Sequence, residues 1–284
     1  MGMMTGTGPF GRRPAGRFNF EPPPPGSAIY LEPSPKRVRV IVADEVVADS
    51  RRAMLLHESG SQPVYYFPPE DVRQELLEPS DTVTHCPKKG DAAYRSIRVG
   101  ERVVADAVWL YPEPIEGAPR IAGLHAFYWD RVDHWLEEEE EVFVHPRDPY
   151  HRIDILPASP QVRVLRKGAL LAESSRAMVL FESNLPPRWY LPREDVPAEL
   201  HPSDTVTRCP YKGAATYWSV SIGGHLTPDI VWCYESPFPE ASRIAGLLAF
   251  YDERVDVELD GVPQERPESP WSPGNAAPPS LTRG

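Results

Sequence analysis

Residues 79–90 read Pro-Ser-Asp-Thr-Val-Thr-His-Cys-Pro-Lys-Lys-Gly, and residues 202–213 read Pro-Ser-Asp-Thr-Val-Thr-Arg-Cys-Pro-Tyr-Lys-Gly. The second stretch follows the first by 123 positions, and from Pro79 through Ser96 13 of 18 positions agree with their counterparts. Composition bias does not produce agreement this dense at so long a period, so the chain is one domain written twice. Working outward, Ser50 to Ser59 returns as Ser174 to Ser183, keeping Arg52/Arg176, Met54/Met178, Leu56/Leu180 and Glu58/Glu182. Arg120 to Asp133 agrees with Arg243 to Asp256 at 11 of 14 positions. In 284 residues this makes two domains of about 100 residues each, enough for each to bury its own core. The expected bounds are a Pro/Gly-rich strap at 1–35, a first domain at 36–136, an acidic linker at 137–159, a second domain at 160–262 and a disordered tail at 263–284. Intramolecular pairing of the two repeats is also expected.

Within a copy the period is that of strands. Val38, Val40 and Val42 alternate with Arg39 and Ile41, and Val46-Val47-Ala48 follows Asp44-Glu45 as the second arm of a hairpin. Val64 to Phe67 and Arg188 to Leu191 read as aromatic core strands. Pro68 to Val72 opens a short helical turn, because proline suits the first helical position and acids suit the first turn. Tyr94 to Val99, Arg102 to Ala105 and Val108 to Tyr111 add three strands, and the Arg120 to Asp133 segment reads as a strand despite Gly123. At least seven such segments per copy, with little helical periodicity, predict a mainly β protein: two tandem domains of antiparallel sheets with short helical turns.

Composition narrows the function classes. The net charge of -11 repels phosphate backbones and argues against nucleic-acid binding. No apolar run approaches the ~18 residues of a spanning helix, and the first 20 residues lack the apolar stretch of a signal peptide. With a mean hydropathy of -0.41 and three cysteines at no paired spacing, a cytoplasmic protein with no membrane partner and no disulfide framework is expected. The Glu137 to Glu141 run reads as a solvated segment.

In the repeated stretch, Ser80-Asp81 signals a turn, Thr82-Val83-Thr84 a short strand, and Cys86-Pro87 its end. Gly90 permits a positive φ and a close backbone approach. Lys89 (Lys212 in the second copy) has three open roles: an anion or carbonyl anchor, a salt bridge to Glu58, or an amine nucleophile if desolvated. Cys86/Cys209 is a buried hydrophobe or a thiol nucleophile; His85 precedes only the first, and strand neighbours point to opposite faces. Arg52 and Glu58 share a strand face, as do Arg176 and Glu182, and form an internal ion pair or a ligand clamp. No zinc spacing, phosphate loop or nucleophile elbow occurs, so no metal or cofactor is expected. The remaining repeated residues are aromatic: Tyr66/Tyr190, Tyr94/Tyr217, Trp109/Trp232, Tyr111/Tyr234 and Phe127/Phe250. They are either core or the wall of a pocket for an unknown small-molecule ligand.

Taken together, Trp-Tyr-Leu-Pro-Arg-Glu-Asp-Val (189–196), Ser-Asp-Thr-Val-Thr-Arg-Cys-Pro-Tyr-Lys-Gly (203–213), Ile-Val-Trp-Cys-Tyr (230–234) and Ala-Phe-Tyr (249–251) resemble the family termed domain of unknown function 427. The resemblance spans nearly all of both copies. It implies β-tent-like domains, in which two antiparallel sheets lean together and can hold a small ligand. The family is also labelled nucleotidyltransferase-like, but the chain has no Gly-Ser followed by an Asp-x-Asp pair to hold magnesium. The first copy departs at Lys88 for Tyr211, Asp91 for Ala214 and Arg95 for Trp218. The expected site is therefore fullest in the second domain, at Arg176, Glu182, Tyr190, Cys209, Lys212, Tyr217, Trp218 and Trp232, with a remnant at Tyr66, Lys89, Tyr94 and Trp109. The alternatives are an enzyme using Lys212 or Cys209, or a scaffold whose Pro-rich ends recruit partners.

Overall fold

The computed structural model describes residues 2–274, which divide into two compact units between Tyr150 and His151. The chain is 48% strand and 7% helix, and every strand pairing is antiparallel. The first unit contains β1 (Ile29–Pro33), β2 (Val38–Val42), β3 (Glu45–Ser50), β4 (Met54–Glu58), β5 (Val64–Phe67), β6 (Leu77–Cys86), β7 (Gly90–Val99), β8 (Arg102–Leu110), β9 (His125–Phe127), β10 (His134–Glu137) and β11 (Glu140–Glu141). They form a seven-stranded sheet, β1-β4-β5-β9-β8-β7-β6, and a four-stranded sheet, β11-β10-β2-β3. The second unit repeats the plan with β12 (Ile153–Pro157), β13 (Val162–Arg166), β14 (Ala169–Ser174), β15 (Met178–Glu182), β16 (Arg188–Leu191), β17 (Leu200–Cys209), β18 (Gly213–Ile222), β19 (His225–Cys233), β20 (Leu248–Phe250), β21 (Asp256–Leu259) and β22 (Val262–Pro263). Its sheets run β12-β15-β16-β20-β19-β18-β17 and β14-β13-β21-β22.

Alternation decides which side chains go where. In the first unit Val38, Val40, Leu55, Tyr65, Phe67, Ile97, Val108, Phe127 and Trp135 meet in the core between the two sheets. Residues one step out of phase, Leu56, Tyr66, Tyr94 and Ala126, point to the outer face of the seven-stranded sheet. That face is buried too. The chain between β8 and β9 folds back over it, placing Ile121 against Tyr66, Tyr94 and Tyr111, and in the second unit Ala241 and Ile244 do the same. The return is fixed by a bridge between Tyr111 and Ala122, with Gly123 N–H donating to Tyr111 O at 3.1 Å; Tyr234, Ala245 and Gly246 repeat it at 3.0 Å. Both glycines have φ of 70°, which other residues seldom adopt.

Five segments differ from the expectation. Ile29–Pro33, assigned to the strap, is an edge strand of the first unit because all five residues pair with β4; Ile153–Pro157, assigned to the linker, pairs likewise with β15. The acidic run is not wholly solvated. Glu137 ends β10 pointing inward at 6% exposure, where it accepts from Tyr65 Oη at 2.9 Å and Arg147 N–H at 3.0 Å and pairs with Lys36. The tail is ordered where it is described, with Ser269 buried; residues 275–284 lie outside the described residues. The strands expected at 102–105 and 108–111 are one strand, β8, kept continuous through Asp106 at φ of 50°.

Candidate functional site

The repeated stretch forms β6 and β17 with the turn that follows, and each of its polar residues has a position it holds. Thr82 Oγ1 donates to Asp106 Oδ2 at 2.8 Å, and Ser96 Oγ accepts from Asp106 N–H at 3.2 Å; Thr205, Asp229 and Ser219 repeat both bonds. Rather than turning at Ser80-Asp81, the chain bulges there, with a register shift between Pro79 and Val83. Thr84 Oγ1 lies 2.9 Å from Tyr94 Oη, and Thr207 Oγ1 the same distance from Tyr217 Oη. The turn then closes at Gly90 and Gly213, with φ of 98° and 97°. A Cβ on Gly90 would stand 3.2 Å from Ile115 Cγ2, so the glycine serves both conformation and contact.

That turn delivers the lysine to the outer face. Lys212 is 6% exposed, and its Nζ lies 2.5 Å from Glu182 Oε2 at the end of β15. Burial works against both charges. For Glu182, burial would raise the carboxyl, but the Lys212 ammonium and His151 outweigh it and hold it well below the usual carboxylate range. For Lys212, burial would lower the ammonium, but Cys209, Glu182 and Tyr190 hold it above the ordinary lysine value. A nucleophilic amine needs the opposite shift, and the contact the lysine makes is the salt bridge, one of the three roles open in the sequence. In the first unit Lys89 pairs with Glu58 in the same way.

The Lys88/Tyr211 mismatch has a specific cause. Glu58 takes its second cation from Lys88 Nζ at 3.1 Å. Glu182 takes its second partner from His151, whose Nε2 donates to Oε1 at 3.0 Å and whose ring stacks on Tyr211 at 3.7 Å between centroids. Tyr211 is thus the platform for a histidine that the first unit replaces with lysine. His151 has no counterpart in the repeat, so no sequence signal singled it out.

Around each pair the aromatic groups repeat closely. Tyr66 and Trp109 meet edge-on at 6.3 Å with Trp109 Nε1 donating to Tyr66 Oη at 3.3 Å; Tyr190 and Trp232 meet at 6.3 Å with a bond of 3.2 Å. Trp109 and Tyr128 tilt together at 4.6 Å, as do Trp232 and Tyr251. Tyr94 Oη reaches Tyr128 Oη at 3.3 Å, and Tyr217 reaches Tyr251 at 3.3 Å. Burial pushes the Tyr128 hydroxyl up to about 12, with Tyr94 adding to it.

Tyr190, Lys212, Tyr217, Trp232 and Glu182 therefore come together, with Cys209 at their margin, and so do Tyr66, Lys89, Tyr94 and Trp109. Trp218 stands apart. It is adjacent to Tyr217 in a strand and so faces the inter-sheet core, with Arg193 5.7 Å from its ring centroid. Arg176 also lies elsewhere: it leaves Glu182 to Lys212 and pairs with Asp195 at 2.7 Å, beside Ser174 Oγ donating to the same carboxylate at 2.6 Å. Arg52 and Asp71 repeat that clamp at 2.6 Å, so no Arg52–Glu58 pair forms. Tyr128 and Tyr251 were missed, although Ala-Phe-Tyr recurs and alternation places its tyrosine on the outer face. Among the described residues, no group of three or more His, Cys, Asp or Glu could hold a metal ion, and no helix is long and apolar enough to cross a membrane.

A family model described as a domain of unknown function (DUF427) matches residues 30–138 and again 154–261. The chain belongs to this family, as two tandem members. No curated protein matches the chain.

Proposed function

We propose that these two domains of unknown function are small-molecule binding modules, whose ligand lies on the aromatic outer face of the seven-stranded sheet and takes a hydrogen bond from the buried lysine. The observation that carries the reading is the polar content of an otherwise apolar layer. A core built for stability alone gains nothing from burying a lysine–glutamate pair, since apolar replacements of a buried pair are often neutral or stabilising. Here both units keep that pair, and both surround it with tyrosine hydroxyls and an indole N–H at matching distances. Ligand sites are mostly apolar with a few convergent polar groups. An ammonium carries three N–H donors, and Glu182 accepts from Lys212 at 2.5 Å, which leaves donors for a ligand carbonyl or anion. The second domain carries the more enclosed wall, with Trp232 and Tyr251 both 7% exposed.

The test is a screen of planar aromatic carbonyl fragments against the full chain, read by thermal shift and by the indole N–H resonances of the seven tryptophans. Hits are expected to move the Trp232 or Trp109 resonance and to disappear in Trp232→Ala or Trp109→Ala. If no fragment moves either resonance at millimolar concentration, the binding reading fails.

A further inference from the structure

The two aromatic sites differ in what lies over them. In the first unit Trp109 and Tyr128 are half-buried. In the second, Trp232 and Tyr251 are each 7% exposed, although the ring pairs have the same geometry. Two features of the second unit cover them. Arg188 opens β16 where the first unit has Val64, and its guanidinium lies 5.6 Å from the Trp232 ring centroid. The ring of Trp271, from the C-terminal segment, lies 5.8 Å from the same guanidinium and packs against the same aromatic cluster. Planar guanidinium stacks well between aromatic faces.

The segment is fastened by polar bonds as well. Arg188 Nη2 donates to Glu253 Oε1 at 2.5 Å, and Ser269 Oγ donates to that same oxygen. Ser269 is 9% exposed, and its Oγ accepts from Trp271 N–H at 3.1 Å, while Ser272 Oγ accepts from Ser269 N–H at 3.0 Å. Ser269 to Ser272 is thus a closed turn that presents one indole ring and one hydroxyl donor. The first unit has Trp129 and Asp130 where Asp252 and Glu253 stand, and Trp129 is engaged elsewhere, stacked on Trp135 at 4.3 Å.

We infer that residues 268–274 are an internal ligand of the second domain's aromatic site. The Trp271 indole stands in for a planar aromatic group laid on Arg188, and the Ser269 hydroxyl stands in for a donor aimed at Glu253. An external ligand of this domain is then a planar aromatic molecule bearing an O–H or N–H donor, and it binds by displacing the tail. In the first domain Trp109 and Tyr128 remain only half-buried. This rests on the binding function proposed above and adds the class of ligand and its competitor.

The test uses the full chain and its Trp271→Ala variant, labelled at the tryptophan indoles, with indole as the small-molecule probe and the peptide Glu-Ser-Pro-Trp-Ser-Pro-Gly as the tail in trans. In the variant the Trp232 resonance is expected to move while that of Trp109 stays. A tail seated about nine-tenths of the time weakens a competitor about tenfold, so indole should bind at Trp232 about tenfold tighter in the variant, with its affinity at Trp109 unchanged. An unmoved Trp232 resonance overturns the inference. Equal indole affinity at Trp232 in both proteins also overturns it, while leaving the binding function standing. If indole moves neither resonance in the variant but the peptide returns Trp232 to its native position, the tail site stands and the small-molecule reading fails.

Discussion

Lys212 and Lys89 occupy the same place in two copies of one turn, yet they carry different consequences. Glu182 has one cation in contact, Lys212, with His151 as its other partner, whereas Glu58 has both Lys89 and Lys88. Breaking a buried pair by removing one partner costs about 3–5 kcal/mol, because the remaining charge is left uncompensated. Lys212→Met should therefore destabilise the second unit by that order, and adding Glu182→Leu should restore most of it. Lys89→Met should cost clearly less, since Lys88 remains within 3.1 Å of the carboxylate. Urea unfolding followed at both units would check this, and equal losses from the two single variants would contradict the assignment of partners.

At the scale of elements, the bulge facing Asp106 and Asp229 carries the next prediction. Each of these residues holds a left-handed backbone, φ 50° and 48°, fixed by one threonine and one serine from the neighbouring strands. Thr205→Val removes one bond to a carboxylate, which is worth about 1.5–3 kcal/mol. Thr82→Val should lower the first unit's stability in the same direction, and thermal melts of the two variants would show whether it does. These elements also show how far sequence reasoning reached. Strand existence was legible because Val38 to Val42 and Val64 to Phe67 alternate or run apolar between turn residues. The continuity of β8 was not, because Asp106 reads as a break until the threonine that satisfies it is known. The lysine–glutamate pair was legible as one of three roles, since both residues recur. Trp218 was misplaced because it was grouped by aromatic type instead of strand parity; Tyr217 beside it already takes the outer face. The partners of His151 and Trp271 were beyond reach, since neither residue recurs and each acts through a contact far along the chain.

For the whole molecule the sharpest expectation concerns pH, because the second unit holds buried carboxyls shifted in opposite directions, Glu182 and Glu253 downward and Asp252 upward. Glu182 is held below its ordinary value of 4.5, so its stabilisation is complete above about pH 4.5 and is lost as the pH falls through its lower folded value. Asp252 behaves in reverse. Burial raises it from 3.8 to about 7 despite Arg188 3.5 Å away, so between those values the folded state binds more proton than the unfolded state. Stability is then greatest near the lower end of that window and falls as the pH rises toward 7. The first unit has Trp129 at this position and lacks the effect. Asp252→Asn should remove the decline, leaving the second unit's melting temperature flatter between about pH 4 and 7 and higher than wild type at pH 8, with the first unit unchanged. Calorimetry of both proteins at pH 5 and pH 8 would decide it: if the wild-type second unit is as stable at pH 8 as at pH 5, Asp252 is ionised in the folded protein, and the buried cluster of Arg188, Asp252 and Glu253 carries two negative charges against one positive.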